Sequence, residues 1–408
     1  MSDSHRQRLL SLFETAVRAV HGRERVRQAL TAHPLLTPVY LLSIGKAACA
    51  MAQGAHDVLG AGIVAALVVT KQGFAESLPW PVREAGHPLP DEHSLAAGQA
   101  LLDFAVRIPP GASVLVLLSG GASALVEVLP EGVTLEALRA LNEWLLASGL
   151  DIAAMNRFRK RLSRIKGGRL ARLLAPRPVL CLAISDVPND DPRTIASGPL
   201  AADDVLMTLP DTAGLPPIVA DALRYSSSVP AADDVCFRNV QFKIIARLDD
   251  AKHAAAEAAR QLGYRVTLHP EFIDGDALAA GAQLAQTLLA APAGEIQVWG
   301  GETTLVLPPH PGHGGRNQSL ALSAARVLAG EEHVWFLSIG TDGSDGPTLD
   351  AGALVDGGTI ARGEIDGQSA SQALAAADAG TFLEASGDLV QTGPTGTNVM
   401  DLMLGLRA

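Results

Sequence analysis

Short apolar runs recur along the first half of this chain, each closed by small residues and followed by a stretch of helical periodicity. The runs fall at 39–44, 63–69, 82–84, 114–118 and 179–184, and the helical stretches at 47–59, 91–106 and 134–172, after an amphipathic helix at 6–30. Strands that read as continuous apolar runs are buried on both faces, and strands alternating with helices build a parallel sheet covered on each side. Ligands of such sheets sit beyond the carboxyl ends of the strands. The residues directly after each run are therefore the ones to inspect for chemistry.

Between 197 and 234 the alternation gives way to Pro-rich and Asp-containing sequence, including Leu215-Pro216-Pro217, Ser226-Ser227-Ser228 and residues 231–234. This places a domain boundary there. A second α/β segment is expected to begin with a strand at 242–246, a helix at 249–262, a strand at 264–268 and a helix at 276–290. Strands near 296–299 and 304–307, a helix after Gly315 and a strand at 334–339 follow. The expected architecture is α/β: a parallel-sheet N-terminal domain, 1–235, and a smaller α/β C-terminal domain, 236–408, meeting at a cleft.

Composition narrows the function. A chain of 408 residues has room for two or three domains, and 48% apolar against 18% charged residues is the balance of a folded globule. The net charge of -11 argues against a general binder of nucleic acid or anionic membranes, so any phosphate must be gripped locally. No apolar run approaches the roughly 20 residues of a membrane span, and the N-terminus lacks a secretory pattern, so a cytoplasmic protein is expected. Cys49, Cys181 and Cys236 share no CxxC spacing and fit buried, reduced thiols.

The strand ends carry a consistent chemistry. They read Ser43-Ile44-Gly45-Lys46, Thr70-Lys71, Leu118-Ser119-Gly120-Gly121, Ile184-Ser185-Asp186 and Ile339-Gly340-Thr341-Asp342. Glycine lets backbone approach a ligand, and amides opening the next helix attract anions, so phosphate is the natural guest. Lys46 is one of only six lysines and starts a helix against the macrodipole, which suits a functional cation better than a structural one. The segment is not a Walker A loop, because Tyr40 stands where the first glycine belongs. Ser119-Gly120-Gly121-Ala122-Ser123 suits a nest for phosphate oxygens, although a tight turn would use the same glycines.

Arg316, in Gly312-His313-Gly314-Gly315-Arg316-Asn317-Gln318, also sits in a first helical turn and is aimed at an anion. Asp342 and Asp345, in Gly340-Thr341-Asp342-Gly343-Ser344-Asp345-Gly346-Pro347, offer oxygen ligands for Mg²⁺; Ala353 at the twelfth loop position rules out an EF-hand. Asp186, with Asp190 and Asp191 behind it, supplies a base or a metal ligand, or simply turns the chain. Residues 157–172 hold eight basic residues and no acidic one, read mainly as a solvated helix face, with Arg159 or Lys166 as candidates to reach an anion.

Taken together these segments resemble the class II glycerate kinases, the glycerate 2-kinases of the MOFRL type, over nearly the whole chain. Beyond the loops above, the resemblance rests on Gly86-His87-Pro88-Leu89-Pro90-Asp91, Ile165-Lys166-Gly167-Gly168-Arg169-Leu170, Ile195-Ala196-Ser197-Gly198-Pro199, Gly300-Gly301-Glu302-Thr303 and Thr392-Gly393-Pro394-Thr395-Gly396-Thr397-Asn398. It implies a Rossmann-like N-terminal domain, an active site in the interdomain cleft, and ATP-dependent phosphorylation of D-glycerate at its 2-hydroxyl. In that reading Lys46 and Arg316 neutralise the transferring phosphoryl and the glycerate carboxylate. The 119–123 loop and Lys166 hold the nucleotide, Asp345 and Asp342 anchor Mg²⁺, and Asp186 orients or deprotonates the hydroxyl. The partner is then a small molecule, not nucleic acid or membrane, and the assembly is a monomer or a homodimer.

The sequence departs from the family pattern at Ser319, Arg161, residues 245–248 and Pro188-Asn189. Two other classes compete. A nicotinamide-dependent hydroxypyruvate reductase needs a dinucleotide fingerprint, and the only GxGxxA match, Gly60 to Ala65, precedes a strand instead of following one. The other is a catalytically silent binding protein for a sugar acid or nucleotide.

Overall fold

The computed structural model describes residues 2–147, 150, 152–203, 209, 214–226, 228–365 and 367–408. The chain divides into two compact units, 22–246 and 1–21 together with 247–408. Residues 204–208, 210–213 and 227 of the expected boundary segment lie outside the described residues.

The unit 22–246 is built on six strands: β1 (Val39–Ile44), β2 (Ile63–Lys71), β3 (Val82–Ala85), β4 (Ser113–Leu118), β5 (Val179–Ile184) and β6 (Val240–Ala246). Their order is β3-β2-β1-β4-β5-β6, and every pairing is parallel. β4 and β5 are buried along their whole length, as continuous apolar runs require. Leu42, Val69, Leu101, Val116, Leu118 and Cys181 share one core, each burial contributing roughly 1.5–3 kcal/mol for the large aliphatic side chains. The helix Glu92–Arg107 starts at Asp91, whose carboxylate accepts from the Ser94 amide at 2.9 Å while the Ser94 hydroxyl caps the Asp91 amide at 3.1 Å.

Three expectations change here. The strand expected to open the second segment is β6, which closes the first sheet by pairing with β5. The helical stretch 134–172 is three helices, Leu135–Ala147, Ile152–Arg161 and Arg169–Leu174; the last is set off by Gly167 and Gly168, whose left-handed φ of 59° and 78° no helix interior admits. Its basic residues do not form one solvated face: Lys160, Lys166 and Arg169 are buried, whereas Arg164 and Arg172 are exposed. Lys160 pairs with Asp203, and the Arg169 guanidinium donates to the carbonyls of Lys160 and Lys166, each at 2.9 Å.

The second unit carries β7 (Arg265–Ile273), β8 (Glu295–Gly301), β9 (Val334–Gly340), β10 (Gly352–Asp356), β11 (Leu389–Val390) and β12 (Asp401–Arg407). The order is β11-β10-β9-β12-β8-β7; only β7 and β8 pair in parallel. Residues 304–307 make no strand: Thr304 forms a single bridge to Asp276, and Val306 is 84% exposed, since Pro308 and Pro309 follow and cannot donate to a ladder. The helix at 6–30 is two helices, Ser2–Ala19 and Gly22–Ala32, divided between the units. Arg6 of the first pairs with Asp356 and Asp388 at 3.2 and 3.0 Å, and Arg8 donates to the Tyr264 hydroxyl at 2.6 Å. The three cysteines are free and buried, as the spacing suggested.

Gly45 has a φ of 133°, and a Cβ there would lie 2.2 Å from the Ser119 hydroxyl oxygen and 2.5 Å from the Ser119 carbonyl oxygen. Gly45→Ala is expected to cost about 2 kcal/mol or more, through strain plus displacement of backbone, and to lower the urea midpoint accordingly. A midpoint equal to that of the parent would contradict the close approach.

Candidate active site

In the first sheet the strand order reverses between β1 and β4, the switch point at which open parallel sheets take ligands. The two turns leaving these strands are bonded to each other. The Lys46 amide donates to the Gly120 carbonyl at 2.9 Å, the Ser119 amide to the Ile44 carbonyl at 3.1 Å, and the Ala47 amide to the Ser119 hydroxyl at 3.0 Å. Gly121 takes a left-handed φ of 83°, and a Cβ on it would stand 3.0 Å from His87 Cδ2 and 3.4 Å from Lys46 Cγ. Lys46, His87 and the glycine loop therefore share one spot at the carboxyl edge of the sheet.

Beside them lies a hollow of about 560 Å³ lined by Lys71, Gly86, His87, Pro88, Asp91 and Arg139. The Lys71 ammonium rests over the Phe74 ring, 4.8 Å from its centroid. Arg139 reaches Glu92 at 3.3 Å. Asp91 stays below the ordinary carboxylate range: burial opposes ionisation, but the amides of Ser94 and Gly86 outweigh it.

The other expected residues of this unit are placed as follows. Ser119 and Ala122 are buried and Ser123 is half-buried, its hydroxyl 2.7 Å from that of Ser197. Asp186 lies two residues past the end of β5, after Ser185, and is half-buried. Lys166, expected to hold nucleotide, has its ammonium in an ion pair with Glu127, both side chains buried. Asp191 is engaged locally, accepting from the Arg193 amide at 2.9 Å and pairing with its guanidinium at 2.9 Å.

In the second unit the helix Arg316–Leu328 begins at Gly315, and Asp345 serves its N-terminus. The Asp345 carboxylate accepts from the Asn317 amide at 3.1 Å and from the Gln318 amide at 2.8 Å. Burial pushes this carboxyl up to about 6, against the pull of the two amides and of Arg316. Asp342 Oδ1 accepts from the Ser344 amide at 2.8 Å and the Ser344 hydroxyl at 3.2 Å. Arg316 forks onto Asp401 at 2.7 and 3.1 Å and meets Glu302 at 2.9 Å. Burial works against its charge, but Asp401 and Glu302 prevail and hold its pKa well above the ordinary value.

Asp342 and Asp345 have the hard oxygen chemistry Mg²⁺ prefers. Among the described residues no group of three or more His, Cys, Asp or Glu side chains gathers to hold a metal ion. The donor set thus fits the Mg²⁺ mode in which one or two carboxylates act together with phosphate oxygens and water, rather than an all-protein cage.

The profile of the domain of unknown function DUF4147 matches residues 8–211, and that of the MOFRL family matches 295–401. D-glycerate 2-kinase of Thermotoga maritima is 37% identical over 99% of each chain. The chain belongs to the MOFRL glycerate kinase family. The crystal structure of a glycerate kinase from Thermotoga maritima covers 100% of both chains, with a TM-score of 0.83 at 35% identity. A relative from Agrobacterium vitis named as a putative hydroxypyruvate reductase is also 37% identical, across 98% of this chain and 94% of its own. In this family member the Gly60–Gly62 turn leads into β2, so the GxGxxA match precedes its strand, as the sequence indicated.

Sequence reasoning quoted His87 and Ser197 among its motifs without giving either a role, and passed over Asp401, Glu302 and Glu127 as partners. For Asp401 a signal existed: an acidic residue opening an otherwise apolar run, 402–406, must be paired when buried. Arg316→Ala strands Asp401, whose side chain is 2% exposed, while Arg316 itself is 34% exposed. A loss on the order of 2 kcal/mol in denaturant titration is expected, below the ~3–5 kcal/mol of a fully buried pair. An unchanged midpoint would show the pair to be energetically idle.

Proposed function

We propose that this chain transfers the γ-phosphoryl group of ATP to the 2-hydroxyl of D-glycerate, releasing ADP and 2-phosphoglycerate. The observation that carries the reading is the pair of cross-bonded turns after β1 and β4, which sets Lys46 against a glycine loop at the switch point of a parallel sheet. Family membership supports the same reaction, since relatives across nearly the full length are named glycerate 2-kinase or glycerate kinase.

Phosphoryl transfer passes through a loose transition state, so the protein's work is mostly positioning and neutralising charge. The glycerate 2-oxygen bonds to the γ-phosphorus as the bond to the bridging oxygen of ADP breaks, and the hydroxyl proton must leave. We assign its reception to Asp186. Lys46 is assigned to the transferring phosphoryl, Arg316 to anionic oxygen of phosphoryl or carboxylate, and the loop Ser119 to Ser123 to phosphate. Lys166, whose ammonium is paired with Glu127, is assigned to positioning near the nucleotide rather than to a direct phosphate contact. Mg²⁺ would be held by Asp342 and Asp345 with phosphate oxygens, where it supplies neutralisation of the phosphate charge. Arg316 suits its role because Asp401 and Glu302 fix its fork in advance. Among the described residues no helix is long and apolar enough to cross a membrane, and we place the reaction in the cytoplasm.

The test is a coupled assay for ADP with ATP, Mg²⁺ and D-glycerate, followed by phosphorus NMR of the product. ADP release and a phosphate on the 2-oxygen are expected, and Lys46→Ala should lower kcat by roughly 10²–10³ while the protein stays folded. NADH oxidation with hydroxypyruvate and no ADP would establish the reductase instead.

A further inference from the structure

Ser197 is a serine held where glycine belongs. Three successive residues, Ala196, Ser197 and Gly198, take left-handed φ of 52°, 61° and 64°, and Ser197 is 2% exposed. Such backbone persists only where its surroundings over-determine it. Here the Ser197 amide donates to the Thr194 carbonyl at 2.9 Å and the Gly198 amide to Ile195 at 2.8 Å. The carbonyls of Ser197 and Gly198 accept from the amides of Gly167 and Gly168 at 3.1 and 2.7 Å. The result of this bracing is a short chain of hydrogen bonds: Ser123 Oγ to Ser197 Oγ at 2.7 Å, and Ser197 Oγ to Asn156 Oδ1 at 3.3 Å.

Counting protons gives this chain a direction. A serine hydroxyl has one proton and two lone pairs, whereas an amide oxygen only accepts. The Ser197 proton is spent on Asn156, so the proton between the two serines belongs to Ser123. Ser123 is half-buried, and its oxygen keeps lone pairs but no proton for a ligand. A phosphate oxygen has none to offer it. A hydroxyl does.

We infer that Ser123 accepts a hydrogen bond from a hydroxyl of the hydroxy acid, and that Ser197 is the positioning residue that fixes this polarity. The inference rests on the glycerate kinase reading but revises one part of it, moving Ser123 from the nucleotide phosphates to the acceptor. The strained turn at Ser197 holds a proton's direction rather than a contact surface.

The experiment uses the full chain and measures KM for D-glycerate and for ATP separately, with circular dichroism and melting temperature as checks on folding. Ser123→Ala should raise KM for glycerate by about tenfold, the equivalent of one hydrogen bond, with KM for ATP within about twofold of the parent. Ser197→Gly suits the left-handed backbone and should fold at least as stably as the parent, yet it should raise KM for glycerate in the same way, which relief of strain alone would not do. Asn156→Asp, which still accepts, should recover most of what Asn156→Leu loses. A rise in KM for ATP in place of glycerate, no change in either constant on Ser123→Ala, parent-like kinetics of Ser197→Gly, or indistinguishable Asn156 variants would each overturn the inference. Parent ADP formation stands apart from all of these: its absence would instead count against the kinase reading.

Discussion

The contact between Gly45 and Ser119 is the constraint from which the rest of the first unit's candidate site follows. Two parallel strands, β1 and β4, lie side by side at the switch point, and their turns can be joined by three hydrogen bonds only because no side chain intervenes at position 45. Once the turns are joined, Lys46 has one place to emerge, next to Gly121 and His87. The local chemistry is thus a product of sheet order and a missing Cβ. Neither the lysine nor the glycines would define a site without the other.

Buried charge is the second organising theme. Lys166 with Glu127, Lys160 with Asp203 and Arg316 with Asp401 each place opposite charges where at least one side chain is nearly inaccessible. Such pairs contribute little net stability compared with apolar packing, because desolvation offsets much of the attraction. Their value is geometric. A guanidinium held by two carboxylates before any ligand arrives needs no rearrangement when negative charge develops nearby. In the same way Asp345 supplies the negative group that the start of the helix Arg316–Leu328 requires, which fixes the direction of that first turn.

Much of this was legible in the sequence where one short-range signal dominates. Apolar runs closed by small, hydroxyl or charged residues located β1, β2, β4 and β5 closely, and the residues after them are those the sheet gathers at its carboxyl edge. What escaped depends on partners far along the chain. A run of eight basic residues reads as a solvated face unless Asp203, Glu127 and the carbonyls around Arg169 are known to meet it. β6 reads as the opening of the next segment because nothing local tells which edge it will join. Residues 304–307 have the composition of a strand, but a strand needs a neighbour, and only Thr304 finds one. The pairing of Arg316 with Asp401 spans 85 positions, and no periodicity carries that far.

The break at residues 20–22 gives the chain an unusual timetable. Helix Ser2–Ala19 is synthesised well before its anchors, Tyr264, Asp356 and Asp388. Most helical stability comes from tertiary packing, and its amphipathic face has nothing to cover until residues from 247 onward appear. Residues 2–19 must wait for those partners, tethered through Gly22 to the other unit. Residues 2–19 and 247–408 consequently belong to one compact unit, and the helix can be seated in it only after sequence more than 200 residues further on has been made.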